Sequence, residues 1–276
     1  MMSRMTGAMT CLAVTAALSF AGHAQAQWQR GDEGWCEDGR GDRDADRYCV
    51  ALVADFADPG RLTIDGGMNG GVSVQGWSRD RIEVRAKVWA NAGSSARARE
   101  IADQVDVSLS GGRLDARGPD TGRREGWGVS WEVMVPFDTD LDIETHNGGV
   151  GVTGVRGRID FRAVNGGVHL VGVGGDVVGR TTNGGLHVEL DGRSWDGEGL
   201  DVQTTNGGVR IQVPSDYSAL LETGTVNGGI DIDFPVLVRG RIGRRLTTTL
   251  GEGGPTVRAV TTNGGVRIVR SGSAIR

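Results

Sequence analysis

Apolar and polar residues alternate along most of the second half of the chain, and a short motif interrupts this alternation at intervals. The motif stays close to Thr-x-Asn-Gly-Gly-Val, and its copies are separated by 18, 18, 23, 21 and 36 residues. Because strand side chains point alternately to two faces, the alternation predicts a β-strand on each side of every motif. Recurrence of this kind indicates a repeat architecture. The asparagines that mark the repeat turns are Asn147, Asn165, Asn183, Asn206, Asn227 and Asn263.

Two architectures are compatible with strands that are joined by Asn-Gly-Gly. In a β-solenoid, which is β-helix-like, each repeat forms one coil and equivalent residues stack about 4.8 Å apart. The Thr and Asn side chains would then form inward ladders, with each Asn amide bonded to the next coil. In a meander or barrel, Asn-Gly would instead form the turn of an antiparallel hairpin. The solenoid is favoured, because a hairpin gives no reason for the Thr or for the second Gly.

The region before the repeats has a mixed pattern that predicts strands and one short helix. Residues 81–89 alternate with period two, as a half-buried strand does, and a helix is expected near residues 95–105, where a serine can cap an apolar stripe. We therefore expect an all-β protein in which residues 61–136 form a β-rich cap and residues 137–270 form the solenoid. A cap is expected because the open end of a repeat array exposes strand edges.

The N-terminal segment, residues 1–26, is predicted to be a signal peptide. Arg4 precedes an apolar run at residues 11–20, and a stretch of small residues ends at Ala26, after which cleavage is expected. No later segment is apolar enough to span a bilayer, so no transmembrane anchor is expected. These features predict an exported protein that is periplasmic, associated with the cell envelope, or secreted.

Two cysteines remain after cleavage, Cys36 and Cys49, and both lie in the segment 27–60. In an oxidising compartment, two cysteines this close in sequence are expected to form a disulfide. Alternating aspartates between them resemble the start of a calcium loop, but Arg47 stands where such a loop requires Gly. A solvated loop closed by a disulfide is therefore expected there in place of a metal site.

The charge and the histidines narrow the choice of partners. The formal charge is -5, and cleavage removes one basic residue and no acidic one, which gives -6. This balance argues against nucleic acid, since proteins that bind it usually carry a basic patch. His169 and His187 occupy the same slot in successive repeats, but no third ligand recurs, so neither a metal nor another cofactor is expected.

The slot that holds these histidines continues through the later repeats as one surface column, which also contains Arg210, Asp231 and Arg267. Carboxylates recur on the same outer face, and a glycosidase needs two of them at a defined separation across a cleft. A repeat array spaces carboxylates automatically, so their recurrence alone does not indicate catalysis. A polysaccharide-active β-helix enzyme is the enzymatic alternative.

Repeats that are longer than 18 residues carry insertions, and insertions in repeat proteins often form the binding face. An aromatic ring beside polar groups suits sugar binding, and clustered arginines suit phosphate or sulfate. The alternatives are that the aromatic rings seal loops against the solenoid and that the arginines lie in an ordinary solvated loop. The residues predicted to contact a ligand are Trp195, Tyr217, Arg239, Arg241, Arg244 and Arg245.

Several features follow one another along the chain: the cysteine pair, the Asn-Gly-Gly-Val-Ser-Val-Gln-Gly-Trp strand at residues 69–77, the Ala/Arg-rich helix, the Val135-Pro136 junction and then the repeats. Taken together and in this order, they resemble the bacterial "putative adhesin" domain family of unknown function. The resemblance implies a β-helix-like repeat fold and an exported or envelope location, and it implies no reaction. We therefore expect a non-enzymatic module that binds an envelope glycan or protein. A structural protein that self-associates through an exposed edge is the alternative.

Overall fold

The computed structural model describes residues 28–36, 46–234 and 243–271, and within them the protein is all-β apart from one α-helix and one 3-10 turn. The helix α1 spans Ser95–Asp103, and the 3-10 turn spans Glu33–Cys36. In chain order the first strands are β1 (Gln29–Arg30), β2 (Asp46–Ala57), β3 (Arg61–Asp65), β4 (Val72–Trp77), β5 (Arg81–Ala92), β6 (Asp106–Ser110), β7 (Arg113–Arg117), β8 (Gly126–Pro136), β9 (Asp140–Thr145) and β10 (Val150–Thr153). They are followed by β11 (Arg158–Asn165), β12 (Val168–Val171), β13 (Asp176–Asn183), β14 (Leu186–Glu189), β15 (Gly199–Asn206), β16 (Val209–Val213), β17 (Ala219–Asn227), β18 (Ile230–Ile232), β19 (Arg245–Leu250), β20 (Thr256–Asn263) and β21 (Val266–Arg270).

These strands form two large sheets of mixed direction. Sheet A has eleven strands in the spatial order β1-β2-β5-β8-β4-β10-β12-β14-β16-β21-β18. Sheet B has ten strands in the spatial order β19-β17-β20-β15-β13-β11-β9-β3-β7-β6. The buried side chains of both sheets belong to one hydrophobic cluster that extends from Leu62 to Ile268. Each sheet therefore has one face in the core and one outer face.

The chain passes from sheet B to sheet A at each Asn-Gly-Gly motif. For example, β9 lies in sheet B, whereas β10, which follows the motif at Asn147, lies in sheet A. The two strands that flank a motif therefore do not pair with each other, as they would in an antiparallel hairpin. Each strand instead pairs in parallel with the equivalent strand of a neighbouring repeat, so that Val150 lies opposite Val168 and Ala163 opposite Thr181.

The early copy of the motif at Asn69, which is isolated in the sequence, is part of the same stack. Strands β3 and β4 on either side of it pair in parallel with β9 and β10, and Val72 lies opposite Val150. The chain between β4 and β9 extends both sheets and includes α1, which starts where the sequence predicts a helix. The Ser94 hydroxyl caps α1 by accepting from the Arg97 N–H at 3.3 Å, and Ile101 is buried against the core.

The last repeats are not stacked in chain order. Strand β20 lies between β15 and β17 in sheet B, and β21 lies between β16 and β18 in sheet A. The motif at Asn263 is therefore inserted between the motifs at Asn206 and Asn227. Strand β19 pairs antiparallel with β17 and forms the edge of sheet B. The sequence did not predict this order, because the three repeats present the same Thr-x-Asn pattern in the same register.

A ladder of asparagine side chains follows the corner at which the chain leaves sheet B. Each Nδ2 donates to the Oδ1 of the preceding asparagine at 2.7 to 3.2 Å. The six asparagines of the later motifs are exposed, whereas the sequence predicted an inward ladder. Their side chains lie on the corner because the chain turns there from one sheet to the other. In spatial order the ladder comprises Asn69, Asn147, Asn165, Asn183, Asn206, Asn263 and Asn227.

The threonine two residues before each asparagine does point inward, and its hydroxyl satisfies a backbone carbonyl. Thr181 Oγ1 donates at 2.8 Å to the carbonyl of Gly166, the first glycine of the adjacent motif. Ala163 replaces the threonine in one repeat, and the carbonyl of Gly148 there accepts from Thr145 of its own motif at 2.8 Å. Since a buried carbonyl without a partner is costly, these hydroxyls stabilise the corner.

The first glycine of each motif is required by the close approach of neighbouring repeats. A Cβ on Gly184 would lie 2.0 Å from the carbonyl oxygen of Gly166, although Gly184 does not have a positive φ. The second glycine has more room, since a Cβ on Gly185 would lie 3.3 Å from the carbonyl oxygen of Gly208. Backbone contact therefore explains the first glycine better than conformational freedom does.

This difference gives a matched pair of substitutions within one motif. We expect Gly184→Ala to destabilise the protein by about 2 kcal/mol or more, because the added methyl group meets backbone that cannot move alone. Gly185→Ala should cost less than about 1 kcal/mol. Urea unfolding followed by circular dichroism measures both changes. Equal losses in the two variants would contradict the account based on close approach.

Candidate functional site

A shallow groove runs across sheet A beside the Asn-Gly-Gly corner, and we call it the corner groove. Its volume is about 750 Å³. It crosses β12, β14, β16, β21 and β18, which are neighbours in sheet A. The second glycines of five motifs lie along it, and because they lack side chains the groove stays open there. Its polar lining consists of His169, His187, Arg210, Arg267 and Asp231, and its apolar lining of Leu186, Val209, Ile230 and Val266.

The strand register aligns these five side chains into the single column that the sequence predicted. His169 lies opposite His187, and His187 opposite Arg210. Arg210 in turn lies opposite Arg267, and Arg267 opposite Asp231. The order in space differs from the order in the chain only because β21 lies between β16 and β18. The column therefore has histidines at one end, arginines in the middle and a carboxylate at the other end.

The two histidines stack face to face across the strands. Their ring centroids are 5.4 Å apart and their planes differ by 14°. Gln212 Nε2 lies 2.9 Å from His187 Nε2, so this side chain fixes the second ring. Burial lowers the pKa of His187 below its ordinary value, and His169 and Arg210 lower it further, while Glu189 opposes them. The His187 ring therefore gains positive charge only under acidic conditions.

Arg210 and Arg267 differ in their partners. Arg267 Nε lies 3.7 Å from Asp231 Oδ2, so its charge is partly balanced. Arg210 is half-buried and has no carboxylate partner within the ranges that the structure describes. A guanidinium without a carboxylate partner leaves its donors available for an anionic group. Arg210 is thus the permanent positive centre of the corner groove.

The two aromatic residues predicted to contact a ligand lie in the core. Trp195 is 4% exposed and Tyr217 is 3% exposed. Trp195 Nε1 donates to the carbonyl of Gly175 at 3.0 Å, and this bond holds the insertion against the sheet. Burial, followed by the nearby Asp191, raises the pKa of Tyr217 to about 12. Both rings therefore pack as the sealing alternative describes, and they offer little surface to a ligand.

The predicted arginine cluster is only partly described by the structure. Arg239 and Arg241 lie outside the described residues, whereas Arg244 and Arg245 are exposed. Arg245 lies opposite Gly224 and lines a polar hollow of about 450 Å³ on the outer face of sheet B. The sequence did not indicate this hollow, because its other polar residues come from separate strands and carry no shared motif. They include Gln203, Glu222 and Arg258.

The remaining sequence predictions concern the cysteines, a metal site and a membrane span. Cys36 and Cys49 form a disulfide. No group of three histidine, cysteine or carboxylate side chains converges as a metal site requires, within residues 28–36, 46–234 and 243–271. In the same ranges, no helix has the length and apolar content of a membrane span.

Comparison with models of protein families found no match, and comparison with curated proteins also found none. Solved structures are similar to this chain at low identity. A "putative cell adhesion protein" from Clostridium sporogenes is 10% identical, with a TM-score of 0.44 over 81% of this chain and 100% of that one. A "putative adhesin" from Bacteroides fragilis is 9% identical, with a TM-score of 0.31 over 80% and 96%. A "putative lipid binding protein" from Parabacteroides distasonis is 11% identical, with a TM-score of 0.32 over 83% and 98%.

Two of these descriptions name adhesion, as does the family that the sequence resembles.

Tyr217 gives a pH-dependent test of the packing of the insertion. Its pKa is about 10 in an unfolded chain and about 12 in the folded protein. The stability that it contributes is therefore complete below about pH 10 and is lost as the pH rises towards about 12. In Tyr217→Phe this loss should be smaller by roughly 1 kcal/mol at about pH 11. Urea unfolding at about pH 8 and about pH 11 measures the difference.

The second tyrosine provides the control. Tyr48→Phe retains Tyr217 and should therefore retain the alkaline loss of stability. If Tyr217→Phe lost as much stability as the wild-type protein between the two pH values, the assignment of the loss to Tyr217 would be wrong.

Proposed function

We propose that this chain is an exported, non-enzymatic binding module of the adhesin-like kind, which holds a ligand from the cell envelope in its corner groove. The observation that carries this proposal is the alignment of one polar side chain from each of five neighbouring strands along one continuous groove. Hydrogen bonds on both sides of the inner strands hold these side chains in place before a ligand arrives. Such preorganisation reduces the entropy cost of binding.

The architecture that goes with this function is a β-solenoid. Its coils are residues 137–270, and β3 and β4 add one more coil before them. Parallel pairing of equivalent residues and the continuous asparagine ladder support this arrangement. We propose that residues 1–26 are the signal peptide, that residues 27–60 are the disulfide-closed segment and that residues 61–136 contain the cap.

The groove suits binding better than hydrolysis. Glycoside hydrolysis needs two carboxyl groups that face each other across the substrate. The described lining of the groove contains a single carboxylate, Asp231, and Arg267 partly neutralises it. On the outer face of sheet B, carboxylates also lie beside arginines, as Glu144 does beside Arg162 at 3.3 Å. Ion pairs of this kind serve solubility and packing of the face more readily than acid–base catalysis.

Two charge-matched double variants test the proposal. Arg210→Ala with Arg267→Ala removes one free and one paired arginine from the corner groove. Arg180→Ala with Arg162→Ala does the same on the outer face of sheet B, since Arg162 is paired with Glu144 and Arg180 has no ion pair in the described part of the chain. Binding of the exported chain to isolated envelope glycans and envelope proteins of the source bacterium should be saturable. It should fall at least about ten-fold in the groove variant alone.

Two results would count against this assignment. Equal binding by both double variants would remove the corner groove from the interaction. An absence of saturable binding to every envelope fraction would favour the structural alternative, in which the chain self-associates. Sedimentation of the wild-type protein over a range of concentrations would then measure that self-association.

A further inference from the structure

The backbone of the inner strands in the corner groove is not available to a ligand. Strand β14 pairs with β12 on one side and with β16 on the other, and β21 also has partners on both sides. A peptide therefore cannot bind at these positions by adding a strand to the sheet, since that mode needs an unpaired edge. Recognition along these inner strands must come from side chains.

His169, His187, Arg210 and Arg267 present donors for acidic groups at regular intervals, and Asp231 ends the column. One member of the column comes from each strand, and neighbouring strands lie about 4.8 Å apart. Same-side groups of an extended peptide lie about 6.8 Å apart, so an acidic peptide would match the column poorly. A polysaccharide built from sugar acids carries a carboxylate on each ring, so its carboxylates recur along the polymer. The match in charge, together with the poor fit of the peptide spacing, favours a polysaccharide over a peptide.

The charge of the groove depends on its histidines. The charged or titratable groups around the His187 ring are His169 on β12, Arg210 on β16 and Glu189 on its own strand. Near neutral pH, Arg210 faces the groove without a carboxylate partner, whereas Arg267 is partly neutralised by Asp231. Protonation of the His187 ring adds positive charge next to Arg210. A carboxylate ligand is still ionised at about pH 5, so attraction increases as the pH falls.

We infer that the corner groove binds a linear acidic polysaccharide, with carboxylates of the polymer against Arg210 and the stacked pair His169 and His187, and that this binding strengthens as the pH falls. The inference rests on the proposed function, to which it adds a ligand class. A bound anion and a proton on His187 stabilise each other, so the ligand also raises the pKa of that ring.

Polygalacturonate is the probe, and its fully methyl-esterified form is the matched ligand without charge. The exported chain should bind polygalacturonate at least about five-fold more tightly at about pH 5 than at about pH 7.5. The methyl ester should bind at least about ten-fold more weakly than the acid at both pH values. Isothermal titration calorimetry measures the affinities. Nuclear magnetic resonance of the histidine rings should show that polygalacturonate raises the pKa of His187.

Single variants separate the two parts of the groove. Arg210→Gln should weaken binding roughly ten-fold at both pH values, because it removes the permanent charge. His187→Gln should leave binding at about pH 7.5 nearly unchanged and should reduce the gain at about pH 5. Arg180→Gln, on the outer face of sheet B, removes the same charge as Arg210→Gln and should retain wild-type binding. Circular dichroism at both pH values checks that every variant is folded.

Several outcomes would overturn the inference. Equal binding of the acid and its methyl ester would contradict charge recognition, and equal loss in the Arg180 and Arg210 variants would contradict the location. Poly-glutamate that binds as tightly as polygalacturonate would show that the groove selects charge without selecting a sugar backbone. No binding of polygalacturonate at either pH would also overturn it. The proposed function fails separately, only if the envelope fractions show no binding that depends on the groove.

Discussion

The structure depends on the contact between backbones at the Asn-Gly-Gly corner. Gly184 approaches Gly166 so closely that a side chain on Gly184 has no space. This approach lets each asparagine amide reach the next asparagine, and it places the threonine hydroxyl within reach of a glycine carbonyl. Because every repeat makes the same contact, all strands on both sides of the corner are held in the same register.

The same constraint creates the corner groove. The second glycine of each motif has no side chain, so the surface beside the corner stays open across five strands. Fixed register then places one side chain from each strand beside the opening. The corner needs the same residues in every repeat, whereas the neighbouring column has no such requirement, and its members differ from His169 to Arg267. A binding function can therefore be carried by the column without disturbing the corner.

The sequence predicted those features that arise from local pattern. Alternation indicated the strands, the serine and the apolar stripe indicated α1, and the shared slot indicated the column from His169 to Arg267. The sequence could not predict the position of the last repeat, since β20 could pair equally well with either edge of β17. Burial of Trp195 and Tyr217 was left open, because an aromatic residue in an insertion can seal a loop or bind a ligand.

The position of the last repeat explains the longest interval and bears on function. After β18 the chain forms β19 at the edge of sheet B and then β20 between β15 and β17, and 36 residues separate Asn227 from Asn263. As a result, Arg267 lies between Arg210 and Asp231. In chain order, Asp231 would lie beside Arg210 and neutralise it. The inserted repeat instead pairs Asp231 with Arg267 and leaves Arg210 without a carboxylate partner among the described residues, so the topology determines where in the groove the unpaired positive charge lies.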